Sequence, residues 1–140
     1  MLPLWLEIAF TELENRVQEK DGPSSHPRIA QYLHRVGMAE NDEIPWCAAF
    51  VNWCLDEAGP RGTGKANARS YLAWGDESPR RVGAIVVLTR GVPSGWEGHV
   101  GFLLDWNDWT LTLLGGNQSN RVSIASYPAS RLLGFRWPKP

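Results

Sequence analysis

Two cysteines and three histidines hold most of the nucleophilic and proton-transfer chemistry open to this 140-residue chain. Both cysteines, Cys47 and Cys54, lie in "DEIPWCAAFVNWC", and His99 lies between two glycines in "GWEGHVGFLL". Cys47 follows Pro45 by two residues, which places it in the first turn of a helix. Free backbone N–H groups and the helix dipole stabilise a thiolate there. Cys54 sits about two turns further in, where that field has faded, and reads as a small buried hydrophobe, the usual role of a free cysteine. A disulfide between them is excluded, because seven helical residues at about 1.5 Å rise hold their Cα atoms roughly 10 Å apart, beyond the approximately 7 Å that a bridge spans. With no second cysteine pair and no histidines at ligand spacing, no metal site is expected.

A thiolate that does catalysis needs a group to take and return a proton. His99 is the best placed, at the start of an apolar strand where its ring can reach the helices and small neighbours leave room for a substrate. His26, in a Pro-flanked loop, and His34, beside Arg35 on a solvated helix face, read as surface residues. A third polar group usually fixes the imidazole. In "LLGGNQSN" an apolar run ends in two glycines and then Asn117, the candidate orienter. Asn117 and Asn120 also read as plain turn residues, and Gln118 or Asn120 takes the role if the strand ends one or two residues later.

The elements that must position these groups are legible. Trp5, Ile8, Ala9, Leu13 and Val17 recur at helical spacing, so a first amphipathic helix is expected over residues 4 to 17. "KDGPSSHP" is a turn-rich break leading into a second helix, Arg28 to Val36, which stops at Gly37. A third runs from near Pro45 to Ala58 and ends at Gly59 and Pro60. Its apolar stripe is Cys47, Phe50, Val51, Cys54, Leu55 and Ala58, with Asn52 and Asp56 pointing away. From Arg81 the pattern changes to short β-branched or aromatic runs, "VGAIVVL", "HVGFLLDW", "WTLTLLGG", "VSIASY" and "LLGFRWP", read as an antiparallel meander. Helices first and strands second predict an α+β domain with N-terminal helices packed on a C-terminal antiparallel β-sheet, a single domain over residues 1–140.

Composition narrows the partners. With 14 basic against 15 acidic residues and a net charge of −1, neither nucleic acid nor an anionic membrane is an expected partner. No run approaches the roughly 20 apolar residues of a membrane span, and Glu7, Glu12 and Glu14 interrupt the start as a secretory signal, so synthesis as a soluble cytoplasmic chain is expected. The chain has 8 Trp against 4 Phe and 3 Tyr. Such residues either fill a small core or line a half-wet groove for a polar polymer. Trp46 and Trp53, seven apart on the third helix, and Trp96 with Glu97, just before His99, are the candidate substrate contacts.

A cysteine in the first turn of a helix after "PW", then "GHVGF" on one strand and "GGNQ" on the next, resembles the CHAP amidase/peptidase family and the wider NlpC-like, papain-like cysteine hydrolases of bacterial cell walls. The resemblance spans about Pro27 to Trp137. It implies a papain-like α+β fold that cleaves peptidoglycan amide bonds, as amidase or endopeptidase, without metal or cofactor. Carried over residue by residue, the nucleophile falls on Cys47, the base on His99 and the orienting amide on Asn117. Some CHAP proteins carry a glutamate two residues before the asparagine; here that place is Gly115. The stem peptide of peptidoglycan is then the expected partner, reached at the cell wall or periplasm after delivery by other means. Two alternatives stand beside this: a non-catalytic module that binds the cell wall, and a papain-like peptidase acting on a protein.

Overall fold

The computed structural model describes residues 1–19, 26–39 and 45–140. Three helices precede a sheet: α1 Leu4–Glu14, α2 Pro27–Arg35 and α3 Cys47–Ala58. After a short 3-10 helix, Ala68–Ala73, come β1 Asp76–Glu77, β2 Ile85–Thr89, β3 Gly98–Trp106, β4 Thr110–Gly115, β5 Ser123–Pro128 and β6 Leu132–Trp137. The fold is α+β. Most of the turn-rich break after α1, and Asp42 and Glu43 before α3, lie outside the described residues. No described helix is long and apolar enough to cross a membrane.

The six strands are antiparallel in the order β1-β6-β2-β3-β4-β5. The expected meander therefore holds from β2 to β5 only. β6 does not extend it past β5 but returns to the opposite edge of β2, pairing Val86 with Phe135. That return satisfies the outer backbone groups of β2, whose residues 85–88 are fully buried and have no water to bond.

Strand alternation divides the core. Ile85, Val87, Val100, Phe102 and Leu114 pack with the helices. Val86, Leu88, Leu103, Leu111 and Leu113 form a second, smaller cluster on the other face with Phe135 and Tyr127. Between α2 and α3, Tyr32 stands at the centre of an aromatic group, with ring centroids 5.9 Å from Trp46, 5.3 Å from Phe50 and 5.4 Å from Trp53. His26 caps α2, its Nδ1 accepting the Arg28 N–H at 3.1 Å, which stabilises an otherwise open helix end.

Asn52, expected to point away from the apolar stripe of the third helix, and Glu12 are both buried and structural. Asn52 is fully buried. Its amide donates to the Ala48 carbonyl at 2.8 Å and its oxygen accepts the Gly64 N–H at 2.7 Å, which ties the loop after α3 to the helix. Glu12 is 2% exposed. It accepts from the Tyr32 hydroxyl at 2.6 Å and pairs with Arg28 Nε at 3.0 Å, while Arg28 lies over Trp53. Glu12→Ala leaves the buried hydroxyl without an acceptor and is expected to destabilise by about 2 to 3 kcal/mol. Glu12→Gln keeps an acceptor and should lose clearly less. Urea midpoints at unchanged slope measure both.

Candidate active site

Cys47 is the first residue of α3, with Trp46 as the cap. It is 4% exposed. Opposite it, the pairing of β3 with β4 extends only as far as Phe102 and Leu114. Beyond that point His99, Val100 and Gly101 of β3 are without β4 partners, and the chain after β4 turns away. The start of α3 meets this opening, and Cys47 accepts hydrogen bonds there from the backbone N–H groups of Val100 and Ala48 and bonds the His99 ring.

Burial pushes the Cys47 thiol up, but the bond to His99, its charge and the two backbone donors outweigh that and hold the thiol below its ordinary range. Burial likewise pushes His99 down, and here the bond to Cys47, its charge and a bond to Gln118 prevail against the opposing charge of Arg131, raising the imidazole above its ordinary range. The two shifts favour one state, a thiolate beside an imidazolium. Cys54 shows the contrast: fully buried, with Glu12 and Glu57 adding repulsion, its thiol is held well above the usual range.

The ring's orienter is Gln118. Its Oε1 lies 2.9 Å from His99 Nε2. Its Nε2 donates to the Ser123 carbonyl at 2.7 Å and the Leu113 carbonyl at 3.4 Å. Those two acceptors fix the amide so that oxygen, not nitrogen, faces the imidazole. Nε2 of His99 is therefore a donor, and Nδ1 is the nitrogen left for the thiol. Tyr127 closes this side, its ring 5.1 Å from the imidazole and its hydroxyl 3.3 Å from Nε2. Burial pushes that phenol up to about 12, so it stays neutral.

Asn117, expected in this role, stands one residue earlier in a turn, and its hydrogen bond to the ring is not formed. The reason is backbone conformation. Asn117, Ser119 and Asn120 all adopt left-handed φ, at 58°, 57° and 61°, which turns Gln118 back over the sheet while Asn117 lines the hollow in front of His99. Asparagine tolerates this region better than most residues. The two glycines before it provide the space. A Cβ at Gly115 would sit 2.6 Å from Gln118 Oε1, and one at Gly116 would sit 2.6 Å from Phe50 Cβ. Gly115, where some relatives by resemblance have a glutamate, is thus the gap that the Gln118 amide fills. Bonds from Glu19 N–H to the Asn120 carbonyl at 2.8 Å and from Val122 N–H to the Val17 carbonyl at 2.9 Å hold the turn against the segment after α1.

Two hollows meet at Cys47 and share Pro45 and Arg90. One is walled by Met38, Ala68, Trp96 and Glu97, and the other by His99, Asn117, Asn120, Tyr127 and Arg131. Trp96 is 75% exposed at the lip of the first. Trp46 and Trp53 do not belong to either. Trp46 is fully buried and donates its indole N–H to Glu19 at 2.6 Å, and Trp53 is 7% exposed within the Tyr32 group. Their spacing reported a buried helix face, not a groove wall. A further cavity, beside Leu13, Arg16 and Arg121, lies away from Cys47.

The pair's two ionisations give a signed expectation. A reaction that needs thiolate and imidazolium together has a bell-shaped dependence of kcat/KM on pH, whose apparent pKa values belong to the pair. The acid limb should fall below the ordinary thiol value of about 8.5 and the alkaline limb above the ordinary imidazole value of about 6.5. Iodoacetamide labelling of Cys47 should already be fast at neutral pH; labelling that rises only near the ordinary thiol value contradicts the ion pair.

The model of a family described as the CHAP domain matches residues 39–117. No curated protein matches the chain. The match covers Cys47, His99 and the two glycines before the turn, and it ends one residue short of Gln118.

Proposed function

The chain belongs to the CHAP domain family, whose members are generally cysteine- and histidine-dependent hydrolases acting on the cell wall, and from that premise we propose that it cleaves an amide bond in the peptide part of peptidoglycan through a thioester on Cys47. The observation that carries this reading is the arrangement around one sulfur: Cys47 at the open start of α3, bonded to His99, with His99 oriented by Gln118.

The Cys47 thiolate attacks the amide carbonyl, and the carbonyl electron pair moves to oxygen. The Cys47 backbone N–H, which as a first-turn group has no partner within its own helix, is the oxyanion donor of this proposal. On collapse the C–N bond breaks, and the His99 imidazolium gives its proton to the departing amine. Water then attacks the thioester with His99 as base, releasing the carboxylate product and restoring the thiolate. Gln118 and Tyr127 hold the ring through both halves. The order of nucleophile, base and amide is papain-like, with Gln118 in the amide's place. No step draws on a metal or cofactor. Delivery to the wall or periplasm belongs to the same proposal, since the substrate lies there.

Digestion of purified peptidoglycan, followed by mass spectrometry, tests it. New amine and carboxyl ends in equal number are expected. Retention of the protein on intact peptidoglycan without new ends would make it a binding module, and cleavage of an unfolded protein but not of peptidoglycan would make it a peptidase of another substrate.

A further inference from the structure

The two hollows at Cys47 are not equivalent, and the chemistry tells them apart. His99 protonates the departing nitrogen, so that nitrogen lies on the His99 side of the sulfur. The hollow that contains His99 therefore receives the amine-side fragment, and the one bounded by Trp96 receives the acyl side.

Their charges differ too. Among the described residues, Glu97 is the one carboxylate lining either hollow, and it lies on the acyl side. The amine side carries Arg131, with Arg90 shared between the two. Arg131 is fixed in place: its Nε and Nη2 donate to the Thr89 carbonyl at 3.0 and 2.7 Å, and its guanidinium lies 5.2 Å from the centre of the Tyr127 ring. Nη1 has no acceptor among the described residues, and neither arginine has an acidic partner there. A partly buried, immobilised guanidinium with free donors facing a hollow is a carboxylate receptor. Its charge also opposes that of His99, and a bound carboxylate cancels that repulsion at the moment the imidazolium is needed.

We propose that Arg131, assisted by Arg90, binds a free carboxylate on the amine-side residue of the scissile bond. This rests on the acyl-transfer reading above and narrows it. In a stem peptide the amine partners that carry a free carboxylate are the γ-linked D-glutamate, through its α-carboxylate, the diamino acid where it is diaminopimelate, and the terminal D-alanine, so the bond cut is one onto these residues and not the muramoyl to L-alanine amide.

The peptidoglycan digest supplies the first test. Fragments that begin at D-glutamate, at the diamino acid or at the terminal D-alanine are expected. Cleavage at muramoyl to L-alanine overturns the carboxylate site and leaves the hydrolase reading intact, whereas no cleavage at all removes the hydrolase reading itself. The second test uses synthetic peptides that contain the bond cut in the digest, with the carboxylate of its amine-side residue free or converted to the carboxamide. Wild type should prefer the free acid by about 10- to 100-fold in kcat/KM, the range of a charge-assisted hydrogen bond. Arg131→Gln should bring that ratio close to unity, and Arg90→Gln should reduce it by less. Because Arg131→Gln also gives up contacts to Thr89, the wild-type enzyme is measured in parallel at rising salt: KM should climb for the acid and hold for the amide. Equal rates for the two peptides in wild type, or a ratio untouched by Arg131→Gln in a folded protein, overturns the site.

Discussion

Cys47→Ala and His99→Ala are each expected to lower kcat/KM on peptidoglycan fragments by about 10³-fold or more, and the double variant should be no worse than either alone, because nucleophile and base act as a unit. Both side chains line the hollows at one end of α3 and β3, so circular dichroism should report a folded protein, while the urea midpoint should fall in His99→Ala, which leaves the buried Gln118 Oε1 without its partner. Cys54→Ala is the control. Cys54 is fully buried and its thiol is held well above the usual range, so its loss should cost stability on the order of 1 kcal/mol and leave the rate near wild type. Iodoacetamide should label Cys47 far faster than Cys54 in the folded protein. Equal loss of activity in the Cys47 and Cys54 variants contradicts the assignment of the nucleophile.

Gln118→Ala is expected to cost about 10²-fold in kcat/KM, within the range of general acid–base contributions. The loss has two parts. The ring loses the acceptor that fixes its tautomer, and His99 loses one of the bonds that raise its pKa. The second part has a sign: the alkaline limb of the pH profile should move to lower pH. A residue that merely filled space would not move that limb. Gln118→Glu keeps an acceptor on Nε2 and should push the limb the other way. Asn117→Ala is expected to lose less than 10-fold, as a lining residue with no bond to the ring. Near-normal rates in Gln118→Ala beside a large loss in Asn117→Ala would return the orienting role to Asn117. Gly115→Ala offers an independent check, since its Cβ would occupy the space of the Gln118 amide and should reproduce part of the Gln118→Ala profile.

Much of this was legible in the chain itself. The spacing of apolar residues marked three helices and the shift to β-branched runs after Arg81, and those two signals are local properties of side-chain burial. Pro45 two residues before Cys47 marked a helix start, which separates a reactive thiol from the inert Cys54 on the same face. The glycines around His99 marked room beside the imidazole, whereas the close approaches at Gly115 and Gly116 came from the structure. The order of strands was not legible, because β6 chooses the far edge of β2 over β5 by satisfying backbone groups that no local pattern reports. Nor was the fate of Trp46 and Trp53: a helical stripe shows that a face is covered, and only the packing of Tyr32 against it shows by what. The choice between Asn117 and Gln118 turned on three left-handed residues in one turn, held by the segment after α1. Neighbouring side chains in such a turn point in unrelated directions, so one residue's difference in sequence became the difference between lining the groove and orienting the imidazole.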